Sequence, residues 1–113
     1  MIRFATVRKL ALALPEVVER TSYGTPAFRV RDKLFCRLLE DKESIVVYVD
    51  PIERSELVEW KPNTFQVTTH YQNHPMVIVR LANAEREEVR EVLVESWRRR
   101  APKGLVADYD ATA

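Results

Sequence analysis

Hydrophobic and polar positions repeat with two different periods along this chain, and each change of period marks an element. Val7, Leu10, Ala11 and Leu14 recur at helical spacing, which predicts an amphipathic helix over residues 3–14, stopped by Pro15. A loop is expected from Glu16 to Pro26, shaped around Gly24, one of two glycines in the chain. Period two follows. Phe28 and Val30 alternate with Arg29 and Arg31, Asp32-Lys33 reads as a tight reversal, and Leu34–Leu39 is nearly all apolar. After the charged turn 40–43, Ser44–Val49 is rich in β-branched residues, so three strands in an antiparallel meander are expected.

Asp50-Pro51-Ile52-Glu53 has the form of a helix start, with Asp50 as cap and Pro51 in the first turn, and Pro62 ends that helix. Thr64–Thr68 alternates as a strand, His70–Pro75 reads as a loop, and Met76–Leu81 is a strongly apolar strand. Asn83 is the expected cap of a last helix with the stripe Val89, Val92, Leu93, Ser96 and Trp97. Its acidic start and its Arg98-Arg99-Arg100 end both suit the helix dipole. The order α-β-β-β-α-β-β-α predicts a two-layer α+β fold, an antiparallel sheet with helices over one face. It forms one domain over 1–107, and 108–113 is expected to be a frayed tail.

Composition narrows the function classes. The chain has 113 residues with 18 Lys+Arg against 17 Asp+Glu, a formal net charge of +1. That balance does not advertise a strongly basic nucleic-acid binder. One cysteine excludes an internal disulfide framework and a cysteine-cluster zinc site. Two glycines leave no room for a phosphate loop or a dinucleotide fingerprint, and no Gly-x-Ser-x-Gly occurs. The apolar run Leu10–Leu14 is far too short for a membrane span, so a soluble cytoplasmic protein without membrane contact is expected.

Candidate chemistry is sparse. His70 and His74 are four apart, a metal-binding spacing on a helix, but Gln72-Asn73 and Pro75 place them in a polar turn. Cys36 sits between Leu34 and Leu38 on one strand face and reads as a buried thiol. No acid, base and nucleophile assemble, so no catalytic residue, metal or cofactor is expected. Charge is uneven, however: residues 1–40 hold eight Lys/Arg against four Asp/Glu, and residues 41–70 hold three against six. Arg29 and Arg31 are expected to share a strand face beside Lys33, a hairpin suited to a phosphate backbone. The same residues also suit the water-facing half of an amphipathic sheet.

Several segments together resemble one family. These are 10–15 (Leu-Ala-Leu-Ala-Leu-Pro), 22–30 (Ser-Tyr-Gly-Thr-Pro-Ala-Phe-Arg-Val), 33–36 (Lys-Leu-Phe-Cys), 74–79 (His-Pro-Met-Val-Ile-Val) and 97–103 (Trp-Arg-Arg-Arg-Ala-Pro-Lys). Their order and spacing resemble the MmcQ/YjbR-like family of small bacterial proteins. The resemblance implies an α-β(3)-α-β(2)-α fold and the double-wing DNA binding proposed for that family. It also implies an architecture similar to type III secretion chaperones, which bind polypeptide. Many relatives carry a lysine and a His-Trp pair where this chain reads Tyr71-Gln72-Asn73-His74-Pro75.

Two functional expectations follow. The first is non-specific DNA binding through phosphate contacts from Arg29, Arg31, Lys33 and Arg37, with Lys42, Arg98, Arg99, Arg100 and Lys103 as a second set. The alternative is a non-enzymatic module for a protein or small ligand, with Tyr23, Gly24, Phe28, Trp60, His70, Tyr71 and His74 around its site. A monomer, or a weak homodimer through the sheet edge or face, is expected.

Overall fold

The computed structural model describes residues 1–112. Its elements run α1 (Phe4–Leu12), β1 (Val17–Ser22), β2 (Thr25–Val30), β3 (Lys33–Leu38), β4 (Ser44–Tyr48) and α2 (Pro51–Trp60). Then follow β5 (Phe65–Gln66), β6 (Met76–Arg80), α3 (Arg86–Arg100) and α4 (Lys103–Thr112). Six strands form one antiparallel sheet in the order β1-β2-β3-β4-β6-β5. The expected α+β class is therefore the one observed, with one more strand and one more helix than the sequence pattern showed.

The extra strand is β1, where a loop was expected. It pairs with β2 from Val17↔Val30 to Ser22↔Thr25. Tyr23 (φ 55°) and Gly24 (φ 82°) close the hairpin, both in the left-handed region that a two-residue type I′ turn needs. The second reversal is built the same way from Arg31 (φ 48°) and Asp32 (φ 68°), one residue earlier than expected. The predicted strand 64–68 shrinks to Phe65–Gln66.

α3 starts at Glu85 rather than Asn83. The Glu88 carboxylate reaches back to the Glu85 backbone N–H at 2.9 Å, while Asn83 donates to Asn63 O. Asp50 caps α2 as expected, accepting from the Ile52 and Glu53 amides. Residues 108–112 of the expected frayed tail are the second half of α4, which runs through the expected boundary at 107; Ala113 lies outside the described residues. Tyr109 packs on Trp97 with ring centroids 5.1 Å apart, and Arg98 bonds Asp110 at 2.9 Å.

The core lies between the sheet and α1 and α3. Trp97, Phe28, Phe35, Phe65, Ile45 and Leu93 are its largest fully buried side chains. Buried Ser96 joins the two layers. Its hydroxyl donates to Phe35 O and accepts from the Tyr48 N–H at 2.8 Å, just past the last β3–β4 pair, Cys36↔Val47. Arg8 forks onto Glu19 at 2.8 and 3.0 Å and ties α1 to the outer strand.

Lys61 and Glu88 join the end of α2 to the start of α3 through a charged hydrogen bond. Burial pushes the Glu88 carboxyl upward, but hydrogen bonds from Lys61 and the Glu85 amide hold it below its ordinary value. A carboxyl depressed on folding contributes stability above its unfolded pKa, and that stability is lost as pH falls through the folded one. Urea midpoints are therefore expected to fall between about pH 6 and about pH 3. Glu88→Gln should flatten part of that fall; an unchanged acid-side slope would show that the link carries none of it.

Candidate functional site

The sheet has one covered and one open face, and strand register assigns the side chains. Val18, Arg20 and Ser22 of β1 stand with Thr25, Ala27 and Arg29 of β2 on the open side, since their opposite numbers Val17, Phe28 and Val30 enter the core. Leu34 and Arg37 of β3, Val46 and Tyr48 of β4, and Met76 and Ile78 of β6 continue the same face. Residues 68–75 fold back over it, including a 3₁₀ turn at Thr69–Tyr71. Tyr71 packs there on the apolar cluster of Val46, Met76 and Ile78.

Small-ligand sites are clefts of about 300–1,000 Å³, and the open-face cleft measures ≈ 730 Å³. Its floor is Leu34, Val46, Met76 and Ile78, and its rim carries Tyr23, Tyr48, His70, Tyr71 and His74. Arg37 sits at one end and is almost fully buried. Its Nη1 donates to Thr25 Oγ1 (3.1 Å) and Glu40 (2.9 Å), its Nη2 donates to Tyr71 Oη (3.2 Å), and its guanidinium lies 5.2 Å from the Tyr23 ring centroid. Burial opposes the charge on Arg37, yet the bonds to Glu40 and Tyr71 outweigh it and raise its pKa. Arg37 thus spans the gap from the β1–β2 turn to the folded-back segment.

Arg54 of α2 holds that segment from the other side. Its guanidinium donates to the carbonyls of Tyr71 (3.3 Å), Gln72 (3.2 Å), His74 (2.7 Å) and Met76 (3.2 Å). One side chain thus gathers four carbonyls, of which Tyr71 O and His74 O also accept backbone N–H bonds from His74 and Met76. Sequence reasoning gave Arg54 no role, and an isolated arginine on an acidic helix carries no signal of one.

The expected phosphate contacts are scattered by the fold. Arg37 is buried, so it is a fastener rather than a free cation, contrary to expectation. Arg29 and Arg31 do not share a strand face, because β2 ends at Val30 and Arg31 lies in the turn. Arg31 forks onto the Glu16 carboxylate, and Arg29 bonds Asp32 O and Ser22 Oγ. Arg98 is held by Asp110, while Arg100 donates to Leu34 O at 2.9 Å and lies 4.3 Å from the Tyr48 ring centroid. Lys33, Lys42, Arg99 and Lys103 are exposed and have no carboxylate within ion-pair distance among the described residues.

Of the alternative set, Tyr23, His70, Tyr71 and His74 do meet in the open-face cleft, with Gly24 in the turn behind Tyr23. Phe28 does not: it points to the opposite face and is fully buried. Trp60 lies against Phe65 at the end of α2 and lines a different groove. His70 meets the Tyr71 ring edge-on, with centroids 4.6 Å apart. Cys36 is buried on the helix side, and burial pushes its thiol far up, so it stays protonated.

Known proteins are similar in both sequence and shape. Uncharacterized proteins of Mycobacterium tuberculosis and Mycobacterium bovis are each 35% identical over 57 residues, covering 50% of this chain and 44% of theirs. The matched stretch is thus less than half the length of those relatives. A crystal structure of a Deinococcus radiodurans protein with a DUF419 domain has the same fold, with a TM-score of 0.74 at 22% identity. That likeness covers 86% of this chain and 77% of the other. A family model described as YjbR matches residues 12–99, from the end of α1 nearly to the end of α3. The chain belongs to the YjbR family.

Proposed function

We propose that this chain is a non-catalytic binding module whose open sheet face takes a small ligand with a planar ring. The observation that carries this reading is the convergence of two histidines and three tyrosines around an apolar floor. Apolar walls with a few convergent polar groups are the usual make-up of a small-ligand site. Ring faces at Tyr23, Tyr48 and His70 offer stacking, and their polar atoms set orientation. Arg37 and Arg54 preshape the cleft, which limits the ordering that binding would otherwise require. The nucleophiles support a non-catalytic role: Cys36 is buried and protonated, and Ser96 is tied between two strands.

DNA binding is the second reading. It is favoured by Arg20, Arg29 and Arg80 on the open face and by exposed Lys33, Arg99 and Lys103. Arg31, Arg37, Arg98 and Arg100, each bonded to other groups of the fold, weigh against a continuous phosphate track.

Amide chemical shifts followed during titration separate the two. Nucleosides and other planar heterocycles are expected to move residues 68–78 and Tyr23. Tyr23→Ala and His70→Ala, both at exposed positions, should weaken binding about tenfold each, within the range of one lost stacking contact. Shifts centred on Lys33, Arg99 and Lys103 with duplex DNA, falling steeply with salt, would overturn the small-ligand reading and establish phosphate contact.

A further inference from the structure

A second surface lies on the helical side, between α2 and α3, and it has a different chemistry. The groove there measures ≈ 420 Å³. Its floor is apolar, made by Val49, Leu57 and Val92, with Trp60 at one end. Its rim is all of one sign: Glu53 and Glu56 from α2, and Glu91 and Glu95 from α3. Among the described residues, Glu53, Glu56 and Glu91 have no cation within 4 Å, and only Glu95 approaches one, Arg98 at 3.7 Å. The neighbouring arginines are engaged elsewhere, Arg90 with Glu87 at 2.7 Å and Arg98 with Asp110.

α2 itself is unusually bare. None of its residues is fully buried, and Ile52 and Trp60 are 74% and 61% exposed. A helix normally hides an apolar stripe against its own protein. Here part of that stripe borders a groove open to solvent, and carboxylates surround it. Carboxylates on both walls repel nucleic acid and anionic lipid surfaces and attract cations with apolar neighbours.

We infer that the α2–α3 groove docks a basic amphipathic helix of a partner protein, its apolar side chains on Leu57, Val92 and Trp60 and its lysines or arginines over the glutamates. Such a segment places anchors at i, i+3 or i+4 spacing into a groove and basic residues on either side. Charge complementarity selects the occupant, and the exposed tryptophan is the anchor with the largest contact area. This site shares no residue with the open-face cleft except Tyr48, which lies between them. The inference therefore stands independently of the ligand reading.

Trp60 reports on it directly, since the other tryptophan, Trp97, is fully buried. The probe is a synthetic helical peptide with leucines at i, i+3/i+4 spacing and lysines on the flanks. Its counterpart carries glutamates in place of the lysines. The lysine peptide is expected to shift Trp60 emission to the blue at low salt, with affinity falling as salt rises. Glu53→Gln combined with Glu91→Gln, both at exposed positions, should weaken it by on the order of tenfold. Three results would each overturn the inference: no emission change at millimolar lysine peptide, equal binding of the glutamate peptide, or an affinity unchanged in the double variant. A shift that follows protein concentration alone would overturn it too, by giving the groove to a second copy of the chain.

Discussion

Replacing Ser96 with alanine is expected to destabilise the fold far more than the loss of one hydroxyl suggests. The hydroxyl is fully buried and serves two backbone groups at once, the Phe35 carbonyl and the Tyr48 N–H. β3 and β4 part at this point, so neither group has a strand partner to fall back on. Each one left unpaired costs about 1–3 kcal/mol. In a domain with about 5–15 kcal/mol in total, that is a large share. Urea unfolding should show a lower midpoint with an unchanged slope. Ser55→Ala provides the contrast: that hydroxyl bonds Pro51 O on an exposed helix face, and its loss should stay within about 0.5 kcal/mol. Equal effects of the two substitutions would show that the Ser96 bridge contributes nothing.

Trp97→Ala is expected to be the more damaging change. Trp97 is fully buried, donates from Nε1 to Pro15 O at 3.1 Å, and carries Tyr109 of α4 on its ring. It therefore holds three elements together: α3, the end of the α1 segment, and α4. Truncating a buried aromatic costs about 3–5 kcal/mol, because a cavity remains after the transfer energy is lost. The midpoint of thermal unfolding should drop by roughly 15 °C or more. Tyr109→Ala alone should be milder. The double variant should cost less than the sum of the singles, since the two rings share one contact. Strict additivity would mean that α4 is held by something other than this pair.

How much of this was legible in the sequence varies with the physics of each element. The core strands and α3 declared themselves because burial on one or both faces forces a periodic pattern. β1 did not, for it is an edge strand: Val17 and Glu19 face inward while Val18, Arg20 and Thr21 stay exposed, so apolar alternation is almost absent. Its partner turn uses Tyr23 at positive φ, a position where glycine or asparagine would have been the clearer signal. α4 was readable in principle, since Leu105, Val106 and Tyr109 fall at helical spacing, but the polar residues after them resemble a tail. At α3 asparagine is the commoner cap, yet the fold uses the Glu85–Glu88 pairing and leaves Asn83 bonded to Asn63 O.

The candidate site was less legible still, for a physical reason. A charged residue in a sequence has no record of its partner. Arg31 with Glu16 and Arg98 with Asp110 are 15 and 12 residues apart, and the strand that brings Glu16 to Arg31 was itself unread. Arginine counts along the chain therefore overstated the free positive charge. Tyr23, His70, Tyr71 and His74 line one cleft because all four lie in turns, and turns collect at the ends of strands. Phe28 was misplaced because facing direction depends on register, and register depended on the missing strand; Trp60 was misplaced because nothing in the sequence shows that the end of α2 lies against Phe65, away from the open face.

The strand order has a consequence for how the chain reaches this state. β1 to β4 follow one another as hairpins, so they can pair as soon as they are made. β6 is the last strand made, yet it lies between β4 and β5. The inner face of the meander carries Phe28, Val30, Phe35, Ile45 and Val47, and α3, which covers it, is made later than every strand. During synthesis an apolar sheet with only α1 to cover it therefore waits for α3, with the free side of β4 offering unpaired amides and carbonyls. That interval is when aggregation threatens most, and a growing chain in this state is the natural client of a holding chaperone.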